Sequence, residues 1–504
     1  MDLKYIVVQA GGKGTRMKQL TYNKPKALVP IDNLPMLFHL FKKFPNKEYI
    51  IIGDYKFDVL TRYLSAFATV KYSVIDARGK KGTCAGLRES LDIIPENEPF
   101  MLIWSDLILP ADYSFPDEEG NYVGLSTDFS CRWRYENGIF SEIPSEKFGV
   151  AGHFIFEDKS VINDVPVEGE FVRWLRDRNI TWKTQALHKT KEYGLLSEYN
   201  KLEKKKCRPF NKITLCDGKI IKEAIDEQGK QLAKREVAWY ERVKDKGFKN
   251  IPQIYSTNPL VMEHIDGKNI YEYQPPYEEK KKILNQLITA LKQIHSLGCC
   301  SVDDDSYYDA YIAKTFKRLE KVYDLVPFAK DSTVKINGIV CPNVFNYRNE
   351  LEKMVDSYKP DRFEFLHGDN TFSNMMLRRD GTPVMIDPRG YFGNTELYGD
   401  PAYDWVKLYY SLASNYDQFN LKRFSLMIND DDVELSIESN HWEDMEDEFF
   451  SLLNGEVTRR QMKVLLAITW LSLTTYAWED YDSICGAYYE GLFILKEALE
   501  MEDE

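Results

Sequence analysis

The stretch that most constrains the fold is the run from Phe365 to Gly390, FLHGDNTFSNMMLRRDGTPVMIDPRG. Within it, Asp369 is followed five positions later by Asn374. A polar turn at 379–383 then leads into an apolar run that ends at Asp387. Because apolar runs on both sides of a glycine-containing turn predict a β-hairpin, we expect the amide and the second carboxylate to be brought together by that hairpin.

These three side chains fit one kind of chemistry, which is phosphoryl transfer. A kinase needs a carboxylate that orients and deprotonates the attacking hydroxyl, and it needs an amide oxygen and a second carboxylate that hold magnesium ions. We assign Asp369 to the first role and Asn374 and Asp387 to the metal. Each residue alone would be read as a turn, a helix cap or a strand end, but the joint pattern favours the functional interpretation.

The same stretch resembles the aminoglycoside phosphotransferase and choline kinase group, which are small-molecule kinases with a bilobal, protein-kinase-like fold. His367-Gly368-Asp369 stands where a protein kinase has HRD, and Asp387-Pro388-Arg389-Gly390 stands where it has DFG. The resemblance implies that ATP is the donor and that a small hydroxylated metabolite is the acceptor. Arg389 is unusual beside the metal-binding carboxylate, and we expect it to contact an anionic or carboxylated acceptor.

Length and composition limit the number of domains, the binding partners and the location that can be expected for the chain. A chain of 504 residues is too long for one ordinary core. With 43% hydrophobic and 29% charged residues, and no apolar run near the ~18 residues that span a bilayer, we expect no membrane insertion. A net charge of -13 argues against nucleic-acid binding. The start MDLKYIVVQAGG lacks a secretory pattern, which predicts a cytoplasmic location.

Near the N-terminus, a short apolar run ends in the glycine-rich turn GGKGTR. Backbone amides of such a turn can point at an anion, because glycine removes the Cβ that would block the close approach. The turn is not a Walker A loop, and Met17 stands where a dinucleotide fingerprint would have its third glycine. The residues that we predict to bind a nucleotide here are Gly11, Gly12, Gly14 and Thr15.

The longer pattern AGGKGTRM…LT…KPKALVPI…LPM resembles the signature of the sugar-phosphate and choline-phosphate nucleotidyltransferases. Such an enzyme holds a triphosphate so that a phosphate oxygen of the second substrate attacks the α-phosphorus and pyrophosphate leaves. Arg16 and Lys26 would supply fixed positive charge for this step. The attacking phosphate is already anionic, so no general base is required.

Alternating strands and helices in this half predict a parallel sheet with crossover helices, and therefore a Rossmann-like α/β domain with a mixed sheet. The segment Gly82-Thr83 looks like the part of the family that approaches the nucleobase and ribose. Asp106 ends a buried strand and matches the family's metal-binding Asp. Glu192 stands where the family has its second metal-binding Asp, which implies two ligands for Mg²⁺. The segments 148–156 and 169–175 fall where the family builds its acceptor pocket, whereas most tryptophans of this half are assigned to core packing.

The C-terminal part begins with a predicted hairpin that turns at Asp217-Gly218 and carries Lys222 on its second strand. Glu236 lies fourteen positions later on an amphipathic stretch and is the favoured ion-pair partner, with Glu223 and Glu227 as alternatives. Glu263 lies in a segment that resembles the hinge whose backbone reads the adenine. Asp404, in GDPAYDW, is predicted to brace the catalytic loop by hydrogen bonds.

We therefore predict a nucleotidyltransferase over residues 1–206 and a small-molecule kinase over 207–504. The kinase would phosphorylate a hydroxyl with ATP, and the N-terminal domain would couple that phosphate to an NMP, with CTP preferred and Mg²⁺ used by both domains. Similar products feed the decoration of bacterial surface polysaccharides. The alternatives are one active domain beside a regulatory module, or a sugar kinase with a sugar-1-phosphate nucleotidyltransferase that uses UTP or GTP. The acceptor, the base, channelling between domains and the oligomeric state, homo-oligomer included, stay open.

Overall fold

The computed structural model describes residues 3–202 and 211–502 and separates them into two compact units. The first unit contains the described residues up to 202 together with Trp478–Asp482, and the second contains 211–477 and 483–502. The predicted domain boundary at 206–207 lies outside the described residues. Assignment of Trp478–Asp482 to the first unit has no counterpart among the sequence-based expectations.

The first unit is built on a mixed sheet with a parallel centre. Its elements are β1 Tyr5–Gln9, β2 Pro30–Ile31, β3 Leu34–Pro35, α1 Met36–Lys43, β4 Glu48–Gly53, α2 Phe57–Phe67, β5 Lys71–Asp76, α3 Leu87–Leu91, β6 Phe100–Trp104, β7 Leu107–Ile108, β8 Asn121–Ser126, β9 Arg134–Glu136, β10 Ile139–Ser141, β11 Gly149–Phe156, α4 Phe171–Arg176, β12 Trp182–Leu187, β13 Lys191–Glu192 and α5 Leu196–Asn200, with 3-10 turns at Thr15–Thr21, Lys26–Leu28 and Lys159–Ile162.

Strands β5, β4, β1 and β6 run parallel in that order, and β11 pairs antiparallel beside β6. Strand β8 joins β11 and carries β12, while β9 and β10 continue the sheet from β11. β1, β4 and β6 are buried along nearly their whole length, as central parallel strands are when both faces are covered. This confirms the predicted α/β fold with a mixed sheet.

Register places two predicted site segments at one edge of this sheet. Gln9, the last residue of β1, lies opposite Trp104, the last residue of β6. The glycine-rich turn and Asp106 both follow within two residues of these ends. The carboxyl ends of parallel strands are where open α/β sheets bind their ligands.

Lys24, in the Lys24-Pro25-Lys26 motif, is buried inside the first unit. Its Nζ lies 3.1 Å from Oδ1 of Asp480 and also contacts the carboxylate of Asp482. The Nδ2 of Asn23 donates to Oδ1 of Asp482 at 3.1 Å. Although burial opposes the charged amine, these two carboxylates raise the pKa of Lys24. The first lysine of the motif therefore anchors Trp478–Asp482, and the second remains for the site.

The second unit begins with an antiparallel sheet and continues as a mainly helical body. Its elements are β14 Asn211–Cys216, β15 Lys219–Ala224, α6 Glu227–Asp245, β16 Ile254–Thr257, β17 Leu260–Glu263, β18 Gly267–Asn269, α7 Tyr277–His295, β19 Cys299–Cys300, α8 Asp304–Tyr308, α9 Lys314–Val322, β20 Thr333–Ile336, β21 Ile339–Pro342, α10 Arg348–Ser357, β22 Phe363–Phe365, β23 Met375–Arg378, β24 Pro383–Met385, β25 Tyr391–Phe392, β26 Thr395–Glu396, β27 Tyr398–Gly399, α11 Pro401–Ser414, α12 Tyr416–Asn420, β28 Phe424–Ile428, β29 Val433–Ile437, α13 Glu446–Leu453, α14 Arg459–Leu471 and α15 Tyr481–Glu500.

Two hairpins of this unit were predicted and are present. β14 and β15 turn at Asp217 and Gly218, both with positive φ, and the four-stranded sheet follows the order β14-β15-β17-β16. β23 and β24 form the hairpin between Asn374 and Asp387, with Met375 opposite Met385. The kinase-like fold predicted for the C-terminal part is confirmed.

Candidate active sites

The glycine-rich turn of the first unit holds Lys26 next to the end of β1. Gly14 has a φ of 64°, which strains any L side chain, and a Cβ there would come within 3.1 Å of the Cβ of Lys26. The backbone N–H of Lys26 donates to the carbonyl of Gly12 at 3.3 Å. Gly11, Gly12, Gly14 and Thr15 therefore form one continuous turn around this lysine, and nucleotide binding by them stays a prediction.

Two carboxylates and two cations meet beyond the parallel strands. The Nζ of Lys26 contacts the carboxylate of Asp106 and lies 3.9 Å from Oε1 of Glu192. The pairing of β13 with β7 sets Glu192 opposite Leu107, which places the two carboxylates side by side. Burial and the charge of Asp106 raise the pKa of Glu192, while Lys26 and Arg16 lower it. The structure thus brings together all four residues that the sequence predicted for this centre.

The donor set of this centre suits a divalent cation. The Oδ1 atom of Asp106 is buried and accepts no hydrogen bond from the described residues, so one carboxylate oxygen is available as a ligand. Within the described residues, no group of three or more His, Cys, Asp and Glu side chains is placed to hold a metal. Mg²⁺ is usually bound by one or two carboxylates together with substrate phosphates, which agrees with the pair of Asp106 and Glu192.

Gly82 and Thr83 fix a neighbouring loop. Gly82 has a φ of 86°, and a Cβ there would clash with the carbonyl oxygen of Gly169. The Oγ1 of Thr83 accepts the backbone N–H of Phe171 at 2.8 Å. Gln9, which sequence reasoning missed, donates from Nε2 to the Thr83 carbonyl at 2.7 Å. Its position as the last residue of the first strand, directly before the glycine turn, is the signal that would have found it.

The tryptophans of the first unit belong to its core, as predicted for most of them. Trp133 is buried in the main apolar cluster, and Trp104, Trp174 and Trp182 pack against that cluster. Gly152, with a φ of 77°, allows the backbone of β11 to pass under the Trp104 ring. These rings therefore stabilise the sheet that carries the site.

In the second unit, Lys222 forms the predicted ion pair. Its Nζ lies 2.7 Å from Oε2 of Glu236 and 2.7 Å from Oδ1 of Asp387. Although burial opposes the charged amine, the two carboxylates raise the pKa of Lys222. The competing acids pair elsewhere: Glu223 lies 3.9 Å from Lys212, and Glu227 lies 3.2 Å from Lys230. Strand β15, helix α6 and the end of the β24 hairpin thus converge on one lysine.

Asp404 braces the catalytic loop, as the sequence predicted. Its fully buried carboxylate accepts the backbone N–H groups of His367 at 2.9 Å and Gly368 at 2.7 Å. His295, at the end of α7, lies 3.1 Å from the same carboxylate. The loop is therefore fixed from helix α11 before it reaches Asp369.

The side chain of Asp369 is held between an amide and an amine. The Nδ2 of Asn374 donates to the Asp369 carbonyl at 2.7 Å and to its Oδ2 at 3.1 Å, which leaves the Asn374 Oδ1 open to a cation. Lys407 Nζ lies 3.3 Å from the Asp369 Oδ1. Sequence reasoning missed Lys407, although it lies one helical turn after Asp404 on the same face of α11.

Glu263, predicted to lie at the nucleotide hinge, uses its side chain for structure. Both of its carboxylate oxygens face the guanidinium of Arg378, with one contact at 2.8 Å, and the backbone N–H of Gln253 donates to Oε2 at 3.0 Å. The backbone N–H of Glu263 donates to the Gln253 carbonyl at 2.9 Å, so both its side chain and its N–H hold structure, and the hinge hypothesis stays a prediction.

The parallel-centred sheet of the first unit and the hairpin-led sheet and helices of the second give the chain two unlike folds of the mixed α/β class. Residues 5–151 match the model of the nucleotidyl transferase family. Residues 224–425 match the model of the phosphotransferase enzyme family. The chain therefore matches both family models, the first in its N-terminal and the second in its C-terminal part, as its sequence predicted.

Curated relatives match about a fifth of the chain. The UTP–glucose-1-phosphate uridylyltransferase AglF of Haloferax volcanii is 34% identical over 110 residues, which cover 21% of this chain and 44% of that protein. The D-glycero-alpha-D-manno-heptose 1-phosphate guanylyltransferase of Campylobacter jejuni is 31% identical over 100 residues, 19% of this chain and 45% of that protein. The chain thus spans less than half the length of these relatives.

Two solved structures each resemble a portion of the chain. HddC of Yersinia pseudotuberculosis is 21% identical with a TM-score of 0.35 and covers 40% of this chain and 98% of its own. The choline kinase LicA of Streptococcus pneumoniae is 14% identical with a TM-score of 0.36 and covers 57% of this chain and 90% of its own. With TM-scores below 0.5, neither likeness identifies a substrate.

No helix in the described part of the chain has the length and apolar character needed to span a bilayer.

Proposed function

We propose that the chain is a bifunctional enzyme that performs two consecutive transfers. In the second unit, a hydroxyl of a small metabolite takes the γ-phosphoryl group of ATP, and ADP leaves. In the first unit, the new phosphate attacks the α-phosphorus of an NTP, the bond to the β-phosphate breaks, and pyrophosphate leaves. The product is an NDP-activated metabolite.

The observation that carries this proposal is that, in each unit, one lysine contacts two of the predicted carboxylates. Lys222 joins Glu236 to Asp387 through two contacts of 2.7 Å. In the first unit, Lys26 joins Asp106 to Glu192 at the edge of the parallel strands. An enzyme that transfers phosphate groups stabilises their negative charge with fixed cations, and it places these beside carboxylates at one point.

The residues of the second unit divide the work. Asp369 accepts the proton of the attacking hydroxyl, and its orientation is set by Asn374 and Lys407. Lys222 binds nucleotide phosphates and is held in place by Glu236. Asn374 and Asp387 would hold Mg²⁺, which neutralises phosphate charge when bound.

The residues of the first unit act mainly by charge and position. Arg16 and Lys26 bind the triphosphate and stabilise negative charge that develops on the departing pyrophosphate. Asp106 and Glu192 would hold Mg²⁺, and the buried, unbonded Oδ1 of Asp106 supports that role. The attacking phosphate is ionised near neutral pH, so this half needs no proton acceptor.

CTP is the proposed nucleotide, and a cytoplasmic enzyme that supplies precursors for surface polysaccharide decoration is the proposed setting. A second candidate is a sugar-1-phosphate nucleotidyltransferase that uses UTP or GTP. It is favoured by the curated relatives, whose names are those of uridylyl and guanylyl transferases of sugar 1-phosphates. Pyrophosphate release with CTP, UTP and GTP in parallel separates the two.

The proposal is tested by removing one carboxylate from each unit. Asp369→Asn is expected to lower ATP-dependent phosphorylation by about 10²-fold or more, measured on a panel of choline, ethanolamine, polyols, sugars and hydroxy acids. Pyrophosphate release from a supplied phosphorylated acceptor should remain. Asp106→Asn should do the reverse, so that the phosphorylated acceptor accumulates.

Exposed aspartates provide matched controls. Asp112→Asn in the first unit and Asp380→Asn in the second change the same functional group outside the two charge sets. If either active-site substitution left both ATP consumption and pyrophosphate release unchanged, the two-enzyme proposal would be wrong for that unit. A regulatory binding module would then be the better description of it.

A further inference from the structure

Four cationic side chains lie near one another beside the catalytic loop, since the charges of Arg389, Arg318 and Lys407 all act on Lys314, and Arg389 and Lys407 lie 6.0 and 5.7 Å from the Tyr403 ring. Lys314 and Arg318 lie one turn apart on α9, Arg389 follows the β24 hairpin, and Lys407 projects from α11. The backbone N–H of Arg389 donates to the His367 carbonyl at 2.8 Å, which ties it to the loop. We call these four side chains the basic cluster.

The basic cluster has little negative charge of its own. Arg389 donates to two phenols, the hydroxyl of Tyr403 at 2.7 Å and that of Tyr391 at 3.0 Å. Arg318 donates to the carbonyl and the hydroxyl of Ser472, the latter at 3.2 Å. Lys314 makes no hydrogen bond or ion pair with the described residues. Lys407 faces the carboxylate of Asp369, whose charge also acts on Arg389, and Asp309 is the carboxylate that acts on Lys314.

The electrostatic consequences agree with a net positive cluster, in which the phenols of Tyr403 and Tyr391 and the charge of Asp369 raise the pKa of Arg389 against its burial. Burial lowers the pKa of Lys314, and the charges of Arg389, Arg318 and Lys407 lower it further, against a weak opposing effect of Asp309. Burial and Arg389 also lower the pKa of Arg318. Burial alone would raise the pKa of Tyr391, yet the Arg389, Arg235 and Arg318 charges bring it below its ordinary value.

Like charges packed together destabilise the free protein unless a ligand compensates them. The nucleotide side of the site has its own lysine, Lys222, which is already joined to Glu236 and Asp387. Two members of the basic cluster instead act on Asp369, the residue that faces the hydroxyl to be phosphorylated: Lys407, at 3.3 Å, and Arg389, through its charge. An acceptor with a quaternary ammonium group would meet four cations there and would be repelled.

We propose that the acceptor is a hydroxylated compound that carries a carboxylate or phosphate group, and that Lys314, Arg318 and Arg389 bind this anion. This inference rests on the proposed kinase function and names the substrate class of that site. Guanidinium groups bind both anions through paired hydrogen bonds, which suits the arginines. The hydroxyl oxygen bonds to the γ-phosphorus, the bond to the ADP oxygen breaks, and the hydroxyl proton passes to Asp369.

The test uses probes that differ mainly in charge. The whole chain, with Mg²⁺ and a non-hydrolysable ATP analogue bound, is titrated calorimetrically with glycerol, D-glycerate, sn-glycerol 3-phosphate and choline. We expect D-glycerate or sn-glycerol 3-phosphate to bind, with the preference between them identifying the anion, and choline not to bind. If neither anion binds, or if choline binds as tightly, the inference is wrong.

Variants test whether the cluster is the binding site. Lys314→Met and Arg318→Met should each weaken anion binding by about tenfold or more, whereas Lys317→Met, an exposed lysine on the same helix, should not. Since Lys314→Met removes like-charge repulsion, its Tm without ligand should match or exceed that of the wild type. A fall in Tm without loss of anion binding would assign Lys314 a structural role and overturn the proposal.

ATP consumption separates this inference from the proposed function. If a cationic acceptor is phosphorylated and this activity requires Asp369, the proposed kinase function is supported and the anionic acceptor is refuted. Anion binding that the cluster variants abolish, without phosphorylation of any acceptor, would support the anion site and refute the kinase.

Discussion

Asp404→Asn tests whether one buried carboxylate positions the catalytic loop. The two oxygens of Asp404 accept the backbone N–H groups of His367 and Gly368 at 2.9 and 2.7 Å. An asparagine keeps one acceptor oxygen and turns an amide N–H₂ toward the other backbone donor. One buried N–H is then left unpaired, at a cost of about 1–3 kcal/mol. Asp404→Ala removes both acceptors and should cost about twice as much, roughly 2–6 kcal/mol.

The effect is local, so it is best measured locally. Hydrogen exchange of the peptide that contains His367 and Gly368 should be roughly 5- to 150-fold faster in Asp404→Asn than in the wild type, since 1.4 kcal/mol corresponds to a factor of ten. ATP-dependent phosphorylation should fall by about 10²-fold, because a small displacement of the reacting groups has that effect. Pyrophosphate release by the first unit should not change.

The control is Asp380→Asn, an exposed turn residue that caps the N–H of Thr382 and for which asparagine is an equivalent cap. If the exchange rates of Asp404→Asn and Asp404→Ala both equal that of the control, Asp404 does not brace the loop. If exchange is faster but phosphorylation is unchanged, the loop position does not limit the reaction.

Three further predictions concern single residues. Glu192→Gln should lower pyrophosphate release at least about tenfold without changing ATP consumption, and equal loss in both assays would contradict separate sites. Lys222→Met should destabilise the second unit by about 3–5 kcal/mol, because Glu236 stays buried without its cation, and thermal unfolding measures it. Burial raises the pKa of Asp417 from 3.8 to about 6, so the folded state binds the proton more tightly. The stabilisation of the folded state by protonated Asp417, on the order of 3 kcal/mol, should therefore be lost as the pH rises from about 4 through about 6. In unfolding experiments, Asp417→Asn should flatten the dependence of the unfolding free energy on pH over this range.

The parts of the sites that lie close together in sequence could be predicted. Asn374 and Asp387 are joined by one hairpin whose turn residues are recognisable, and the N–H of Ile386 donates to the carbonyl of Asn374 at 3.0 Å. Lys222 and Glu236 lie on a strand and on the next helix, so their pairing follows from two adjacent elements.

The parts that depend on packing between distant elements could not be predicted. Lys314 and Arg318 come within electrostatic range of Arg389 from a helix more than 40 residues upstream of Asp369. Their spacing of four marks one helix face, but helical periodicity does not say what that face contacts. The same holds for Asp417, which accepts the N–H of Ser373 at 2.9 Å from another helix.

Because of the ion pairs of Lys24, the first unit cannot be separated at the predicted boundary near 206–207, the seam, without losing part of itself. A fragment of the first unit that ends at 202 would keep this lysine. It would lack Asp480 and Asp482, which lie near the other end of the polypeptide. A buried ammonium that loses its counterions costs about 3–5 kcal/mol, a large part of the stability of a single domain. A chain truncated at the seam would therefore contain a destabilised first unit and lack the second.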